Sequence, residues 1–148
     1  MTVMRSRTRS REYALQMLYQ ADIRRAGAPQ ILEGFWQGRD PASAEVKAFA
    51  TTLFEGTLRH RQEIDAVITS HAENWQLSRM AVIDRNILRL GVFELLHAEG
   101  MPPKVCINEA IELAKRFGDA ESGKFINGIL DAIHKGTHEP RAHGRPDG

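Results

Sequence analysis

The 148-residue sequence has the length of a single domain, and its 42% hydrophobic content suffices to fill one core. Its 20 Lys and Arg residues nearly balance 19 Asp and Glu residues, which gives a formal net charge of +1. A uniformly basic surface for polyanions is therefore excluded, so any affinity for nucleic acid must be local. The one cysteine, Cys106, excludes an intrachain disulfide and a cysteine-based zinc site.

Positive charge is concentrated near the start of the chain, in RSRTRSRE, where Arg5, Arg7, Arg9 and Arg11 alternate with Ser or Thr. Residues 1–10 are expected to form a flexible arm. A solvated tail, an organelle-targeting peptide and an arm that binds phosphates all fit this composition. No secretory signal precedes it, and the strongly apolar run at residues 87–96 is too short for a membrane span. A cytoplasmic protein without membrane contact is expected.

In the first half of the chain, apolar spacing predicts helices throughout. The first helix should cover residues 11–25, with Ser10 as its cap and Pro29 beyond its end. A short helix is expected at residues 30–36. A long helical stretch follows from residue 43 to residue 71, and a bend at Gly56 or at residues 59–61 remains open.

In the second half, Ser78 should cap a broadly apolar, central helix that runs to about residue 99. Gly91 inside this helix predicts the close approach of another helix. A helix at residues 104–117 should end at Gly118, and Asp119 should cap the last helix. The fold class is therefore all-α, with about seven helices in a single domain at residues 11–135. Residues 136–148 are expected to be a disordered tail.

Enzymatic motifs are sparse, because the sequence contains no Gly-rich phosphate loop, no paired zinc histidines and no nucleophile elbow. Cys106 is interpreted as a packing residue. His134 and His138 are spaced four residues apart, but their place near the polar end of the chain favours a tail over a metal site. Glu109 and Glu112 are interpreted as part of a solvated, ion-paired face. No enzymatic activity, metal or cofactor is predicted.

The Arg-rich stretch is the feature that departs most from the background composition. Arginine forks match phosphate oxygens, and a partly exposed Tyr19 on the following helix can stack on an unpaired base. From composition alone, nucleic-acid binding and a merely solubilising terminus carry nearly equal weight, and targeting comes third.

A long motif near the end of the chain resembles the NusB family. The segment VCINEAIELAKRFGDAESGKFINGILDAI occupies residues 105–133, and RE-x-A-LQ-x-LYQ at residues 11–20 and ILRLGVFEL at residues 87–95 agree with the family in the same order. The resemblance covers about residues 5–135. Residues 28–75 match in helical pattern more than in residue identity.

This resemblance implies a protein of two small packed helical bundles that takes part in transcription antitermination. It implies binding of boxA, a short single-stranded RNA element, together with the ribosomal protein NusE. The complex joins the RNA polymerase elongation complex through other Nus factors, notably at ribosomal RNA operons. The family is not enzymatic. A helical protein–protein adaptor that holds a ribosomal protein is the alternative, and a homodimer is also possible.

The resemblance also implies an RNA surface with an arginine part and a second part before the last helix. With Arg5 added from the same stretch, the predicted RNA-binding residues are Arg5, Arg7, Arg9, Arg11, Tyr19, Glu121, Ser122, Lys124 and Phe125. Whether Phe125 faces the core or the RNA stays open. Two departures from the family pattern are Thr8, which interrupts the basic run, and Glu121, which stands where aspartate is familiar.

Overall fold

The structure is a computed structural model that describes residues 3–39, 41–72, 76–98 and 100–138. Over these ranges it contains helices and no strands, which confirms the predicted all-α class. The elements are α1 Val3–Arg24, α2 Ala28–Phe35, α3 Ala44–Arg59, α4 Arg61–His71, a 3-10 helix at Leu77–Arg79, α5 Val82–His97, α6 Pro103–Phe117 and α7 Ser122–His138. None of these helices combines the length and the apolar character that crossing a bilayer requires.

Helix α5 lies at the centre of the molecule, as its broad apolar surface predicts. Residues 86–94 of this helix are all buried, because α1, α3, α4, α6 and α7 all pack against it. Helices α1, α2 and α3 form one bundle, while α6 and α7 pack together on α5 to form the other. A Cβ atom at Gly91 would lie 2.9 Å from Leu130 Cδ1, which confirms the close helix approach predicted at this glycine.

The N-terminal helix differs most from its prediction. Residues 3–10 are the first turns of α1 rather than a flexible arm, which corrects that expectation; residues 1 and 2 lie outside the described ranges. Ser10 does not cap a helix. It is buried, and its hydroxyl oxygen lies 2.9 Å from the backbone oxygen of Val46 and 3.1 Å from that of Ser6. The contact with α3 therefore stabilises the turn of α1 around Ser10. Because Val46 is distant in sequence, the residues next to Ser10 do not predict this contact.

Other helices also begin or end at residues that differ from the prediction. Pro29 lies in the first turn of α2, where a missing N–H costs nothing, and the open bend falls at His60, between α3 and α4. Helix α5 begins at Val82, because the region of Ser78 forms the separate 3-10 helix. Helix α7 continues through residues 136–138, which were expected to belong to the disordered tail. The remainder of the predicted disordered tail, residues 139–148, lies outside the described ranges.

Candidate nucleic-acid interface

The helical form of the Arg-rich stretch divides its arginines between two sides of α1. At about 100° per residue, Arg5 and Arg9 project within about 40° of each other, whereas Arg7 and Arg11 project at least about 120° from both. The structure follows this division. Arg5 is exposed and Arg11 is buried, and the Arg7 guanidinium carbon lies 4.3 Å from the ring centroid of Phe49 on α3. Alternation with Ser and Thr therefore does not produce one continuous basic surface.

Arg11 forms a buried ion pair and is not available to a ligand. Its Nε and one terminal nitrogen each donate to a different carboxylate oxygen of Glu94, both at 2.8 Å. Its other terminal nitrogen lies 3.2 Å from Glu109 Oε1. Burial alone would lower the pKa of Arg11, but the hydrogen bonds and charge of Glu94 outweigh this effect, and the pKa is raised. The structure therefore moves Arg11 from the predicted RNA surface to the core.

Glu109 takes part in the same network, so its interpretation as a solvated residue also needs correction. It is half-buried, and it accepts a hydrogen bond of 2.8 Å from the Thr8 hydroxyl. Glu112, one turn later, does lie on the exposed face and pairs with Lys115 at 3.4 Å. The two carboxylates of this helix therefore have different roles, one structural and one at the surface.

The solvent side of α1 carries a stripe formed by Arg5, Arg9, Tyr19 and Ile23, which we call the α1 stripe. These side chains project within about 80° of arc on the helix. Tyr19 is 39% exposed and Ile23 is 55% exposed, and they are the two exposed large hydrophobic residues of the described chain. Arg9 donates one hydrogen bond to the Tyr13 hydroxyl at 2.7 Å, which leaves other N–H groups of the guanidinium for a ligand.

Two further cations border the α1 stripe and were not among the predicted site residues. Arg116 on α6 lies 3.6 Å from Glu12 of α1, and its side chain is 65% exposed. Lys115 precedes it and is exposed to a similar degree. Exposed pairs of this kind contribute little to stability, so both cations can exchange their carboxylate for a phosphate at low cost. Lys115 and Arg116 follow Glu112 by three and four residues, and from this spacing only an ion pair was predicted.

The second predicted group lines a cleft of about 570 Å³ between the start of α5 and the start of α7, which we call the α5–α7 cleft. Glu121 and Lys124 are exposed at this cleft. Phe125 is half-buried: it packs against the core and also lines the cleft, and its contact with RNA stays a prediction. Arg79, Asp84 and Asp119 complete the charged lining. Three carboxylates against two cations make the cleft a better acceptor for base amines than for phosphates.

Ser122 is a structural residue of this cleft and not an exposed contact. It is 2% exposed, and its hydroxyl donates to Asp84 Oδ1 at 2.7 Å while accepting from the Asp119 N–H at 3.0 Å. A Cβ atom at Gly118 would lie 2.5 Å from the Ser122 hydroxyl oxygen. Gly118 has φ −95°, so this residue is needed for the close approach of Ser122 and not for left-handed backbone.

A charged network that joins α1, α4 and α5 was not predicted from the sequence. Asp22 accepts hydrogen bonds from Arg85 at 2.8 and 2.9 Å and from Arg89 at 3.0 Å, and Arg89 also binds Asp65 at 2.8 Å. Burial would raise the pKa of Asp22, but hydrogen bonds from Arg85 and Asn86 and the charges of both arginines lower it to about 2. The sequence feature that could have predicted this buried network is the pair Arg85 and Arg89, which lie one turn apart in an apolar helix.

Comparisons with known proteins agree on one family. The family model described as the NusB family matches residues 8–135. The transcription antitermination protein NusB of Anaeromyxobacter dehalogenans is 48% identical over 135 residues, which cover 91% of this chain and 94% of that protein. The protein of the same name from Myxococcus xanthus is 46% identical over 143 residues, which cover 93% of this chain and all of that protein.

Solved structures give the same result. The structure of T. maritima NusB matches with a TM-score of 0.79 and 41% identity, covering 87% of this chain and 90% of that one. A chain in the crystal structure of antitermination factors NusB and NusE in complex with dsRNA matches with a TM-score of 0.82 and 30% identity, covering 90% of this chain and 99% of that chain. At these identities the likeness extends beyond the fold.

Proposed function

The chain belongs to the NusB family, and on that premise we propose that it acts in transcription antitermination by binding boxA-type single-stranded RNA together with the ribosomal protein NusE. The complex joins the RNA polymerase elongation complex through other Nus factors. The observation that carries this proposal is the α1 stripe, in which two arginines and an exposed tyrosine share one side of a helix.

The α1 stripe has the chemistry of a single-strand surface. Arg5 and Arg9 supply guanidinium groups for phosphates, and Tyr19 supplies an aromatic face for an unpaired base. Tyr19 lies ten residues after Arg9, which is about 15 Å along the helix axis. Several nucleotides fit over that length, so one strand can contact both arginines and still place a base on Tyr19. Arg116 widens the basic border of this surface at the α6 side.

The α5–α7 cleft is suited to reading bases. Glu121 accepts hydrogen bonds from base amines, Lys124 reaches base acceptors or a phosphate, and Phe125 forms an apolar wall. Phosphate contacts position a strand without specifying its sequence, whereas contacts to base edges carry sequence information. We therefore assign affinity mainly to the α1 stripe and base preference mainly to the cleft. Ser122 and Arg11 act indirectly, by holding the two surfaces in place.

The proposed role is binding and not catalysis. The thiol of Cys106 is buried, and burial together with the charge of Glu94 raises its pKa to about 12. The thiol is therefore protonated at neutral pH and cannot serve as a nucleophile. Because antitermination acts on transcribing RNA polymerase, we expect the protein to work in the cytoplasm.

Titration of a fluorescently labelled boxA RNA with this protein, in the presence and absence of NusE, tests the proposal. NusE should raise the affinity, and unlabelled single-stranded boxA should displace the probe at lower concentration than a duplex of the same sequence. If the protein binds NusE but the pair binds RNA no better than NusE alone, the protein is an adaptor and the RNA function is contradicted. Sedimentation of the free protein shows in the same samples whether a homodimer competes with NusE.

A further inference from the structure

Three side chains with metal-binding atoms meet where the α3–α4 corner contacts the end of α5. His60 lies in the corner, Glu63 lies in the first turn of α4, and His97 is the last residue of α5. One ligand atom from each lies within 4.8 Å of the other two. His97 Nε2 is 2.9 Å from Glu63 Oε1, and His60 Nδ1 is 3.7 Å from the same oxygen. The proposed RNA surface uses none of these residues.

We propose that His60, Glu63 and His97 form a binding site for a divalent transition-metal cation, with zinc as the best match. Two imidazoles and one carboxylate, with a position left for water, are a recurrent ligand set for Zn²⁺. Metal–ligand bonds of about 2.0–2.2 Å in a tetrahedral site place the ligand atoms about 3.4 Å apart. The 2.9 and 3.7 Å distances to Glu63 lie on either side of that value.

The backbone positions of the ligands are well fixed. The His60 N–H donates to the backbone oxygen of Gly56 at 3.1 Å, which closes α3, and His97 lies one turn after the buried Phe93. The imidazoles of His60 and His97 stack with centroids 4.0 Å apart and planes 16° from parallel. In-plane nitrogen lone pairs of parallel rings do not converge on one ion. Metal binding therefore requires one ring to turn about its Cβ–Cγ bond and to open the stack.

Solvent can reach the site, which gives the cation an entry path and a water ligand. The side chains of His60, His97 and Glu63 are 34%, 27% and 53% exposed. The neighbouring cation Arg61 points to Asp65, with which it pairs at 3.7 Å, so its charge is partly compensated. A bound cation would tie the α3–α4 corner to the end of α5.

Calorimetric titration of Zn²⁺ into the full-length, metal-free protein without a histidine tag tests this proposal. One ion should bind per chain, and the melting temperature should rise with added zinc, because a ligand of the native state alone stabilises it. His97→Gln and Glu63→Gln retain side chains that can hydrogen-bond. Each should weaken zinc binding by about 100-fold or more, since even residues that only orient ligands are worth 10- to 100-fold.

His134→Gln is the matched control, because His134 and His138 are the one histidine pair spaced four residues apart in sequence. This variant should bind zinc like the wild type, and circular dichroism should show that all variants are equally helical. With Co²⁺ as a probe, the wild-type protein should give visible absorption bands that His97→Gln lacks. The proposal would be overturned if the wild-type protein did not bind zinc. It would also be overturned if His134→Gln lost zinc binding while His97→Gln and Glu63→Gln retained it.

Discussion

Arg5 and Arg9 lie on the solvent side of α1, whereas Arg7 and Arg11 lie on the side that contacts Phe49 of α3 and Glu94 of α5. The four residues are identical in type and alternate along seven residues of sequence, yet Arg11 is 1% exposed and Arg5 is exposed. The difference comes from helical periodicity, because a step of two residues turns the side chain by about 200°. Arginine on one side of the helix therefore stabilises the fold, while we propose that arginine on the other side binds RNA.

The largest effect on stability is expected from replacing Arg11, the buried arginine of α1. Arg11→Ala leaves Glu94 buried without a partner, and breaking a buried pair in this way costs about 3–5 kcal/mol of unfolding free energy. Urea denaturation measures this loss. The double variant Arg11→Met with Glu94→Met should be less destabilised than the single variant, because no unpaired charge stays buried. A cost below about 1 kcal/mol for Arg11→Ala would show that the ion pair is not structural.

The buried network on the same side should appear as a pH dependence of stability. The pKa of Asp22 is lowered from 3.8 to about 2 in the folded state, so its contribution is fully present above about pH 4 and is lost as the pH falls towards 2. The size of this contribution is about 2 kcal/mol. Asp22→Asn should lower stability at pH 7 and flatten the acid limb of the stability curve. An acid limb identical to that of the wild type would contradict the assignment to Asp22.

On the solvent side, changes should affect RNA binding and leave stability nearly unchanged. Stacking of a base on an aromatic side chain is worth about 1–3 kcal/mol, so Tyr19→Ala should weaken RNA binding about tenfold. Tyr19→Phe should bind like the wild type, because the ring carries the interaction. Ile23→Ala removes an exposed apolar member of the α1 stripe that has no aromatic ring, so it should weaken RNA binding less than Tyr19→Ala. Equal affinity of Tyr19→Ala and the wild type would remove Tyr19 from the interface.

The sequence predicted the helical class, the central position of α5 and the close approach at Gly91, because apolar spacing and a single glycine report how a helix packs. It did not predict where α1 begins. Ser10 resembles a cap when only its neighbours are considered, but the structure brings its hydroxyl to Val46. The role of Arg11 was equally hidden, since its partners Glu94 and Glu109 lie 83 and 98 residues away in sequence. Burial of a single charge depends on such distant contacts.

The candidate site shows the same limit. Lys124 and Glu121 follow from the family motif, and the structure leaves both exposed. Ser122 belongs to the same motif but is buried, because its hydroxyl bridges α7 to Asp84 at the start of α5. A motif marks residues that matter together and does not say which of them touch the ligand. The proposed metal ligands His60 and His97 lie 37 residues apart, so no local sequence motif predicts that they meet.

We propose that the solvent side of α1, and not its basic composition as such, binds RNA. The salt dependence of boxA RNA binding in the presence of NusE tests this claim, with Arg5→Ala/Arg9→Ala compared with Arg59→Ala/Lys104→Ala. The control variant removes the same charge from exposed positions on other helices. Each lost phosphate contact on a single strand should reduce the slope of log affinity against log salt by about 0.7. Loss of about 1.4 in slope for the α1 variant and almost none for the control is the predicted result, whereas equal slopes for the two variants would contradict the account.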